Sequence, residues 1–241
     1  MRDANAAILA LDAGNTRIKW GVHDGHAWRA RGAVDTSNSA SLEEVLRSAG
    51  PFDHAIACNV AGPEVRARIE AACNAVFVVA VREQLGVRNL YADPAQLGAD
   101  RWVALIAAHH GDKANKLVVN VGTALTIDAL TAAGEFLGGL IVPGPALMRR
   151  SLDRGTAGLR LTEGRFEALP RSTPDAITSG ALQACVGAIA RFATEMASQG
   201  AAPDRIILSG GAAKEIEAML PYAHTYRENL VLEGLLLAAR N

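Results

Sequence analysis

The sequence predicts an α/β fold made of two halves. Short apolar runs typical of buried strands alternate with stretches in which apolar residues recur at helical spacing. Two glycine-threonine turns, within residues 12–19 and 120–126, each follow such an apolar run. Backbone N–H groups in turns of this kind can face an anion. Two such turns in separate halves therefore favour a nucleotide held between two lobes.

The first half begins with a predicted pair of strands. Residues 8–11 are apolar throughout, and residues 17–22 alternate in the manner of a returning strand, with Gly14 and Asn15 in the turn between them. A polar stretch follows, whose serine and threonine side chains can cap a helix. The patterns then predict a helix over residues 42–48, a strand over 55–58, a helix that begins at Pro63 and a strand over 76–81.

The second half repeats the order of strand, turn and strand. Strands are predicted over residues 117–119, 126–127, 136–142 and 205–208, and helices over 145–152 and 174–198 and at the C-terminus. We therefore expect an N-terminal lobe over residues 1–112 and a C-terminal lobe over residues 113–241. No tandem sequence repeat accompanies this weak repetition of one architecture.

Composition excludes several classes of protein. The chain has 241 residues, of which 50% are hydrophobic, so it can bury a substantial core. Its 24 Lys and Arg against 25 Asp and Glu give a net charge of −1, which provides no general field to hold nucleic acid or an anionic membrane. Cys58, Cys73 and Cys185 lack the spacing of a zinc site or a disulfide framework, which favours a reducing cytoplasm. The apolar stretch over residues 6–11 is too short to span a bilayer or to form a signal core.

The first glycine turn has two interpretations. Asp12 ends the first predicted strand, where its carboxylate could hold a hydrated magnesium ion beside a nucleotide, and Lys19 could reach phosphate oxygens. Alternatively, Gly14 and Asn15 form an ordinary hairpin turn surrounded by solvated charges. The local pattern alone favours the ordinary hairpin, so the phosphate-binding interpretation requires a partner turn.

Gly122, Thr123 and Ala124 provide that partner, because a second backbone turn with a hydroxyl group can grip phosphates from the opposite side. A further glycine pair, Gly210 and Gly211, follows an apolar strand. It could let a flat base approach the backbone closely, but its position favours a simple strand-to-helix turn.

Asp100 and Arg101 precede an apolar helical run over residues 102–108. One interpretation makes Asp100 the N-cap of that helix. In the other, Asp100 accepts the proton of a substrate hydroxyl group, while Arg101 pairs with a substrate carboxylate through its planar guanidinium group. Position alone favours the cap, although the two roles of Asp100 are compatible.

Taken together, these motifs resemble those of one protein family. They are Asp12-x-Gly-Asn-Thr-x-x-Lys19, Gly98-Ala-Asp-Arg101, Gly122-Thr-Ala124, Gly138-Gly139 with Pro143-Gly144, and Ser209-Gly-Gly211. In this order, and spread over nearly the whole chain, they are similar to the motifs of type III pantothenate kinases. Their order makes the resemblance far more specific than any single glycine turn.

The resemblance implies the fold shared by acetate kinase, sugar kinases, Hsp70 and actin, in which two ribonuclease-H-like lobes hold ATP between them. It also implies ATP-dependent phosphorylation of the primary hydroxyl group of pantothenate, the first step toward coenzyme A. Carried over position by position, the first phosphate loop comprises Asp12, Ala13, Gly14, Asn15, Thr16, Arg17, Ile18 and Lys19, and Thr123 belongs to the second. Asp100 is then the general base, and the pantothenate contacts are Tyr91, Gly98, Ala99, Asp100, Arg101 and Thr173.

The resemblance further implies a homodimer with the substrate site near the subunit interface, magnesium at Asp12, and activating potassium or ammonium near position 120. The chain departs from the family there, because Asn120 stands where an aspartate is usual. An amide keeps an oxygen ligand but loses the negative charge that hard cations prefer, so we expect weaker monovalent cation binding or no cation requirement. Asp128 is a candidate substitute carboxylate that fits an ordinary strand position equally well.

Two alternatives remain open. Bvg accessory factors, which resemble this kinase family, are linked to transcriptional activation, so the first alternative is a non-catalytic regulator. The intact set of Asp12, Lys19, Asp100 and Thr123 favours catalysis instead, and the near-zero net charge argues against direct DNA binding. The second alternative is a kinase that phosphorylates a sugar or acetate, which the match over residues 98–101 disfavours. We therefore expect a cytoplasmic kinase that binds pantothenate and a second copy of itself, and neither nucleic acid nor membrane.

Overall fold

The structure, a computed structural model, describes residues 6–156, 158–159 and 162–241, with the backbone alone at 39–41. The strands in this part of the chain are β1 (Ile8–Ala13), β2 (Arg17–His23), β3 (Trp28–Asp35), β4 (His54–Asn59), β5 (Ala75–Phe77), β6 (Glu83–Gln84), β7 (Val87–Asn89), β8 (Lys116–Val121), β9 (Ala124–Leu130), β10 (Glu135–Pro143), β11 (Arg205–Ser209) and β12 (His224–Tyr226). The α-helices are α1 (Leu42–Ser48), α2 (Pro63–Ala72), α3 (Ala99–Gly111), α4 (Pro145–Gly155), α5 (Thr173–Ser198), α6 (Ala213–Ile216) and α7 (Leu230–Arg240).

Internal contacts divide the chain into two compact units. The first unit contains residues 1–112, 133–135 and 229–241, and the second contains residues 113–132 and 136–228. One division therefore falls where the lobe boundary was predicted, but α7 groups with the first unit and not with the C-terminal half. The reason is close packing of α7 on α3, because a Cβ atom at Gly234 would collide with the backbone oxygen of Val103.

The first unit is organised around a sheet with the strand order β3-β2-β1-β4-β5. β1, β2 and β3 are antiparallel neighbours, whereas β4 pairs parallel to β1, and β5 parallel to β4. β1 is thus flanked on both sides, and all of its residues are buried except the half-buried Asp12 near its end. The Asp12 carboxylate therefore lies on the central strand of this unit, at the end of the sheet where β1 and β4 end.

The second unit repeats the same topology. Its strands run in the order β12-β11-β8-β9-β10. β8, β9 and β10 are antiparallel neighbours, while β11 pairs parallel to β8, and β12 parallel to β11. Each unit thus has a hairpin-connected group of three strands followed by two parallel strands, and the architectural repetition predicted from the sequence is present.

Each unit has its own apolar core. In the first unit the core includes Leu9, Leu11, Ile18 and Ile69, and in the second it includes Leu117, Val119, Ile127, Cys185 and Ile189. Full burial of one such aliphatic side chain is worth about 1.5–3 kcal/mol, so these clusters supply the main driving force that fixes the sheets.

Most predicted elements are present, but one predicted strand is too long, and the strands β3, β6, β7 and β12 were not predicted. The strand predicted over 76–81 ends at Phe77, and Val79 and Val81 lie on the surface with 57% and 43% of their area exposed. The strand β3 was missed, because it is an edge strand in which every second residue is exposed and its sequence carries two arginines and a glycine. Edge strands have weaker hydrophobic alternation than central ones.

The long helix α5 is apolar enough to pass a length-and-composition test for a membrane span. Such a test is also passed by core helices of globular proteins. The buried side chains of α5 include Leu182, Cys185, Ile189 and Met196, and these belong to the apolar core of the second unit. Part of the apolar character of α5 is therefore explained by its place in this core.

Candidate functional site

The first glycine turn joins β1 to β2 and places Asp12 directly opposite Lys19 in the antiparallel register. The Gly14 N–H donates to the Arg17 carbonyl oxygen at 3.1 Å and closes the turn. Thr36, which directly follows β3, stabilises this turn, because its hydroxyl group donates to the Gly14 carbonyl oxygen at 2.7 Å. Asn15, Thr16 and Arg17 are exposed at the tip. The turn is thus a closed hairpin whose tip faces solvent, as both sequence interpretations require.

Thr36 was missed as a contributor to this turn. The serine and threonine side chains near it were interpreted as caps for the next helix, and nothing in the local pattern connects position 36 with position 14. The connection arises because β3 pairs with β2 and returns the chain to the turn, where the Thr36 N–H also donates to the Thr16 carbonyl oxygen at 3.0 Å.

Asp12 has a perturbed carboxyl group. Burial is the largest cause and the nearby negative charge of Asp100 the second, and together they raise the pKa of Asp12 from its ordinary 3.8 to about 6. The positive charge of Lys19 and a hydrogen bond from Cys58 act in the opposite direction. Asp12 and Asp100 therefore form a pair of interacting carboxylates within the first unit.

Cys58 on β4 is the neighbour of Asp12 in the parallel register. Its Sγ donates a hydrogen bond to Asp12 Oδ1 at 3.4 Å. Burial, followed by the charges of Asp12 and Asp100, raises the pKa of the Cys58 thiol well above its usual range. The group is therefore a protonated thiol and a hydrogen-bond donor, and it was not among the predicted site residues.

Asp100 lies in the first turn of α3, two residues after the N-cap residue Gly98. The prediction that Asp100 is itself the N-cap is therefore wrong, although its carboxylate does accept backbone hydrogen bonds from Arg101 and from its own N–H. Burial raises the pKa of Asp100, and these hydrogen bonds and the Arg101 charge only partly offset that effect. A Cβ atom at Gly98 would lie 2.7 Å from Asp100 Oδ1, so a larger residue there would displace the Asp100 carboxylate from its present position.

Arg101 is buried, with 5% of its area exposed, and it reaches Tyr91. Its Nη1 donates to the Tyr91 hydroxyl oxygen at 3.3 Å, and its Cζ lies 5.9 Å from the centre of the Tyr91 ring. The structure thus brings together Tyr91, Gly98, Ala99, Asp100 and Arg101, the residues expected to contact substrate, on one loop and one helix start of the first unit.

The loop that carries Tyr91 is held by two residues that sequence reasoning missed. Arg82 donates from Nη1 to the carbonyl oxygens of Asn89 and Tyr91, each at 2.8 Å, and from Nη2 to that of Ala92 at 3.0 Å. Asn89, which is fully buried, accepts from the Tyr91 N–H at 3.1 Å. An arginine that binds backbone carbonyls of a loop has no spacing that would reveal it in a sequence.

In the second unit, the turn at Gly122, Thr123 and Ala124 joins β8 to β9 and is packed by two other glycines. The Gly144 N–H donates to the Thr123 carbonyl oxygen at 2.8 Å, and a Cβ atom at Gly144 would collide with the Gly122 carbonyl. Gly210 has a φ of +101° and lies against the backbone of Val121. These contacts fix the Thr123 turn beside the starts of α4 and α6.

Gly210 and Gly211 lie between β11 and α6, so the strand-to-helix turn that their position favoured is present. Close approach to the Val121 backbone explains why position 210 is glycine. Thr173, the remaining predicted substrate contact, is exposed at the start of α5. The preceding Ser172 caps α5 by accepting from the Asp175 N–H at 3.3 Å, and its hydroxyl donates to Asp175 Oδ2 at 2.6 Å.

A separate cavity of about 730 Å³ lies on the second unit. It is lined by Ala146, Arg149, Arg150, Thr162, Glu163, Gly164, Arg165 and Thr178. None of these is a predicted site residue. Arg149 Nη1 forms an ion pair with Glu215 Oε2 at 3.3 Å. The cavity therefore does not mark the predicted site.

Comparison with known proteins identifies the family. A family profile described as type III pantothenate kinase matches residues 8–195. A type III pantothenate kinase from Aromatoleum aromaticum is 48% identical over 238 residues, which cover 97% of this chain and 98% of the relative. Another, from Nitrosospira multiformis, is 42% identical over 98% of this chain and 92% of the relative. This chain belongs to the type III pantothenate kinase family. The resemblance inferred from the motifs is confirmed.

Solved structures confirm the fold class of this type III pantothenate kinase family member. A conserved Baf family protein from Campylobacter jejuni is similar with a TM-score of 0.64 at 19% identity, over 96% of this chain and 97% of that chain. An archaeal actin homologue is similar with a TM-score of 0.54 at 9% identity, over 98% of this chain and all of that chain. At these identities the likeness shows the fold alone, so the Baf protein lends no support to the regulator alternative.

The residues of this family member fit a magnesium ion bound to a nucleotide. Asp12 presents one carboxylate whose ionised form is disfavoured by burial and by Asp100, and a divalent cation would relieve both effects. Among the described residues there is no group of three or more His, Cys, Asp or Glu that could form a cage for a metal ion. One or two carboxylates plus phosphate oxygens are the usual ligands of magnesium in kinases.

Position 120, where the chain departs from the family, is on β8 beside Ser209 and opposite Thr126. The side-chain oxygen of Asn120 faces Gly210, since a Cβ atom there would lie 2.6 Å from it. Asp128 is buried and lies two positions further along β9 from Thr126, opposite Val118.

Proposed function

We propose that this protein catalyses the transfer of the γ-phosphoryl group of ATP to the primary hydroxyl group of pantothenate, which yields 4'-phosphopantothenate and ADP. Membership of the type III pantothenate kinase family supports this proposal. The observation that carries it is the cluster within the first unit, where Asp100 lies beside both the Arg101 and Tyr91 pair and the Asp12 carboxylate. These three groups match the three parts of the substrates: Arg101 for a carboxylate, Asp100 for a hydroxyl group, and Asp12 for the phosphate chain with its magnesium ion.

The nucleotide phosphates are proposed to contact the first phosphate loop, which is formed by Asp12, Ala13, Gly14, Asn15, Thr16, Arg17, Ile18 and Lys19. Backbone N–H groups at the exposed tip supply donors, and Lys19 supplies a point charge. Thr123 of the second unit is proposed to contribute its hydroxyl group and backbone to phosphate binding. Magnesium, held by Asp12, would neutralise charge on the transferring phosphoryl group.

Asp100 is proposed to orient the attacking hydroxyl group and to accept its proton. Phosphoryl transfer has a loose transition state, so positioning and charge neutralisation dominate and proton transfer is late. The raised pKa of Asp100 makes its carboxylate a stronger base than an exposed aspartate.

Arg101 is proposed to bind the pantothenate carboxylate, with Tyr91, Gly98 and Ala99 around the rest of the acceptor. A guanidinium group presents two parallel N–H donors to a carboxylate, which fixes both the position and the orientation of the substrate. Thr173, exposed at the start of α5, is proposed as a further acceptor contact.

We propose that the protein is a cytoplasmic homodimer, as the family resemblance implies. In support, the second unit exposes several large apolar side chains, which favours burial against another surface. They are Leu140, Ile141, Leu152, Phe166 and Leu169, with 37%, 63%, 38%, 42% and 87% of their areas exposed. Light scattering of the purified protein, compared with an Ile141→Lys and Leu169→Lys double variant, tests the dimer. A wild-type mass of one chain would refute it.

The first test of the activity is incubation with magnesium, ATP and pantothenate, with ADP and phosphopantothenate followed by mass spectrometry. We expect equal amounts of the two products. The matched control is the Asp100→Asn variant, which should bind ATP but form little product. Stoichiometric ADP formation with a sugar or acetate, and none with pantothenate, would contradict the proposed acceptor. Binding of ATP without turnover of any acceptor would favour the regulator alternative.

A further inference from the structure

We propose that Cys58 is a positioning residue for phosphoryl transfer, because its thiol orients the Asp12 carboxylate that receives the magnesium complex of the nucleotide. The catalytic part of this inference rests on the proposed function. Its structural part, the thiol to carboxylate contact, stands independently of the acceptor.

The backbone fixes Cys58 beside Asp12. The two residues are partners in the parallel register of β1 and β4, and Cys58 has only 1% of its area exposed. Just beyond Cys58 the Val60 N–H donates to the Ala13 carbonyl oxygen at 3.0 Å. Asn59 closes the following turn by donating to the Gly62 carbonyl oxygen at 2.8 Å and accepting from the Ala61 N–H at 3.1 Å. The backbone that carries the thiol is therefore held beside β1.

The hydrogen bond from Cys58 limits rotation of the Asp12 carboxylate. The terminal torsion of an aspartate side chain has a broad energy profile, so the carboxylate plane needs an external partner to hold it. In the described part of the chain, the side-chain hydrogen bond that Asp12 receives comes from Cys58 Sγ to Oδ1, at 3.4 Å. Lys19, opposite Asp12 on β2, contributes charge from the other side. One carboxylate oxygen is thus engaged by sulfur, and Oδ2 is left for another partner.

Cys58 does not have the surroundings of a nucleophile. It is enclosed, and the two charged groups that act on it, Asp12 and Asp100, are both acidic and disfavour a thiolate. A buried, protonated thiol next to a carboxylate can act as its hydrogen-bond donor. A serine at this position would also donate, whereas alanine or valine would not.

The chain offers a matched control in Cys73. This residue is also a buried cysteine of the first unit, with 7% of its area exposed, and it packs in the same apolar core at the end of α2. Its described hydrogen bonds are backbone bonds with Ile69 and Ala75. Replacing Cys73 removes a buried thiol from the same core without touching Asp12.

The experiment compares the wild type with Cys58→Ser, Cys58→Ala, Cys58→Val and Cys73→Ala. Calorimetry measures the dissociation constant of ADP at several fixed magnesium concentrations, which needs no acceptor. Kinetics measure kcat and the magnesium concentration for half-maximal rate. Circular dichroism reports Tm, so that lost stability can be separated from lost positioning.

We expect the dissociation constant for magnesium ADP and the half-maximal magnesium concentration to rise roughly three- to tenfold in Cys58→Ala and Cys58→Val, as the loss of one hydrogen bond predicts. Cys58→Ser should lie within about twofold of the wild type for the same reason, since it keeps a donor. Cys73→Ala should lower Tm but leave magnesium and nucleotide binding unchanged.

Two outcomes would overturn the inference. One is unchanged magnesium dependence and nucleotide binding in Cys58→Val or Cys58→Ala. The other is loss of binding in Cys58→Ser equal to that in Cys58→Val, since this would show that packing matters and donation does not. Should the alanine variant fail to fold, the serine and valine pair decides alone. A wild type that binds magnesium ADP but does not phosphorylate pantothenate would contradict the proposed function and leave the calorimetric comparison of Cys58 variants fully informative.

Discussion

Arg101 donates a hydrogen bond from Nη1 to the hydroxyl oxygen of Tyr91 at 3.3 Å, and its Cζ lies 5.9 Å from the centre of the Tyr91 ring. Tyr91 in turn belongs to a loop whose carbonyl groups are held by Arg82. The guanidinium group proposed to bind the acceptor is therefore supported by a loop that is itself fixed, which lowers the entropy cost of holding a long side chain in one geometry.

We expect Arg101→Ala to raise KM for pantothenate by on the order of 10- to 100-fold, because a hydrogen-bonded charge pair is worth about 1.5–3 kcal/mol. Turnover at saturating pantothenate should fall much less, since the pair forms in both ground and transition states. Steady-state kinetics measure the two constants. Tyr91→Phe is the control, because it keeps the ring and removes one contact, and it should change KM only a few-fold. A fall in kcat with unchanged KM would instead place Arg101 on the transferring phosphoryl group.

Asp100→Asn should lower kcat by about 10²- to 10⁴-fold, the usual contribution of a general base. Nucleotide binding should be largely retained, which calorimetry with ADP can check. In the wild type, kcat/KM should fall as the pH is lowered through the pKa of Asp100, since only the carboxylate can accept a proton. Burial raises that pKa, so the acid limb should lie above the ordinary aspartate value of 3.8. Near-normal turnover of Asp100→Asn at saturating pantothenate would remove this assignment.

Asp12 makes a pH-dependent contribution to stability. A carboxyl group whose pKa is raised in the folded state favours folding most at low pH, and this contribution is lost as the pH rises through the folded-state pKa. The difference between 3.8 and about 6 corresponds to at most about 3 kcal/mol, lost between about pH 4 and pH 6. Asp12→Asn removes the charge and should therefore stabilise the protein at pH 7.5 in the absence of metal and nucleotide, while abolishing activity.

Thermal unfolding in a chelating buffer measures this effect. The Tm of Asp12→Asn should exceed that of the wild type by several degrees at pH 7.5, and the difference should shrink toward zero near pH 4. Asp35→Asn serves as the control, because Asp35 is exposed and its ion pair with Arg17 is a surface contact. An Asp12→Asn variant less stable than the wild type at pH 7.5 would show that the charged carboxylate is well compensated in the folded state.

Asn120→Asp should create or strengthen a dependence of activity on potassium or ammonium. The substitution restores the negative charge that hard cations prefer, on a strand position next to Ser209 and facing Gly210. Initial rates in sodium, potassium and ammonium buffers of equal ionic strength measure it in both proteins. Equal rates in all three buffers for both proteins would show that position 120 is not part of a cation site.

The secondary structure was largely predictable because its signals are local. Pro63 predicted the start of α2, and the polar stretch before Leu42 predicted α1 over its observed bounds. Hydrophobic alternation predicted β2 and the central strands. It did not predict β3, an edge strand, and it overestimated β5, because residues 78–81 are apolar but leave the sheet.

The site was predictable in part for a similar reason. Glycine turns and the stretch from Gly98 to Arg101 carry short-range signals in residue type and order. Thr36 and Cys58 carry none, because each acts on a group brought close by the fold. Arg82 and Asn89 act on backbone groups of a nearby loop, and the residue types alone did not indicate that role. Cys58 and Asp12 are 46 positions apart in the sequence, and only the parallel register of β1 and β4 makes them neighbours.

The sequence alone determined the two-half α/β organisation, the family and the residue types available for phosphate and acceptor binding, since these depend on local sterics, hydrophobic periodicity and motif order. Only the tertiary structure decided that α7 returns to the first unit, that Asp100 follows the cap residue of α3, and that burial and mutual repulsion perturb Asp12. These features depend on which distant groups share a low-dielectric environment, and that is set by strand register and packing.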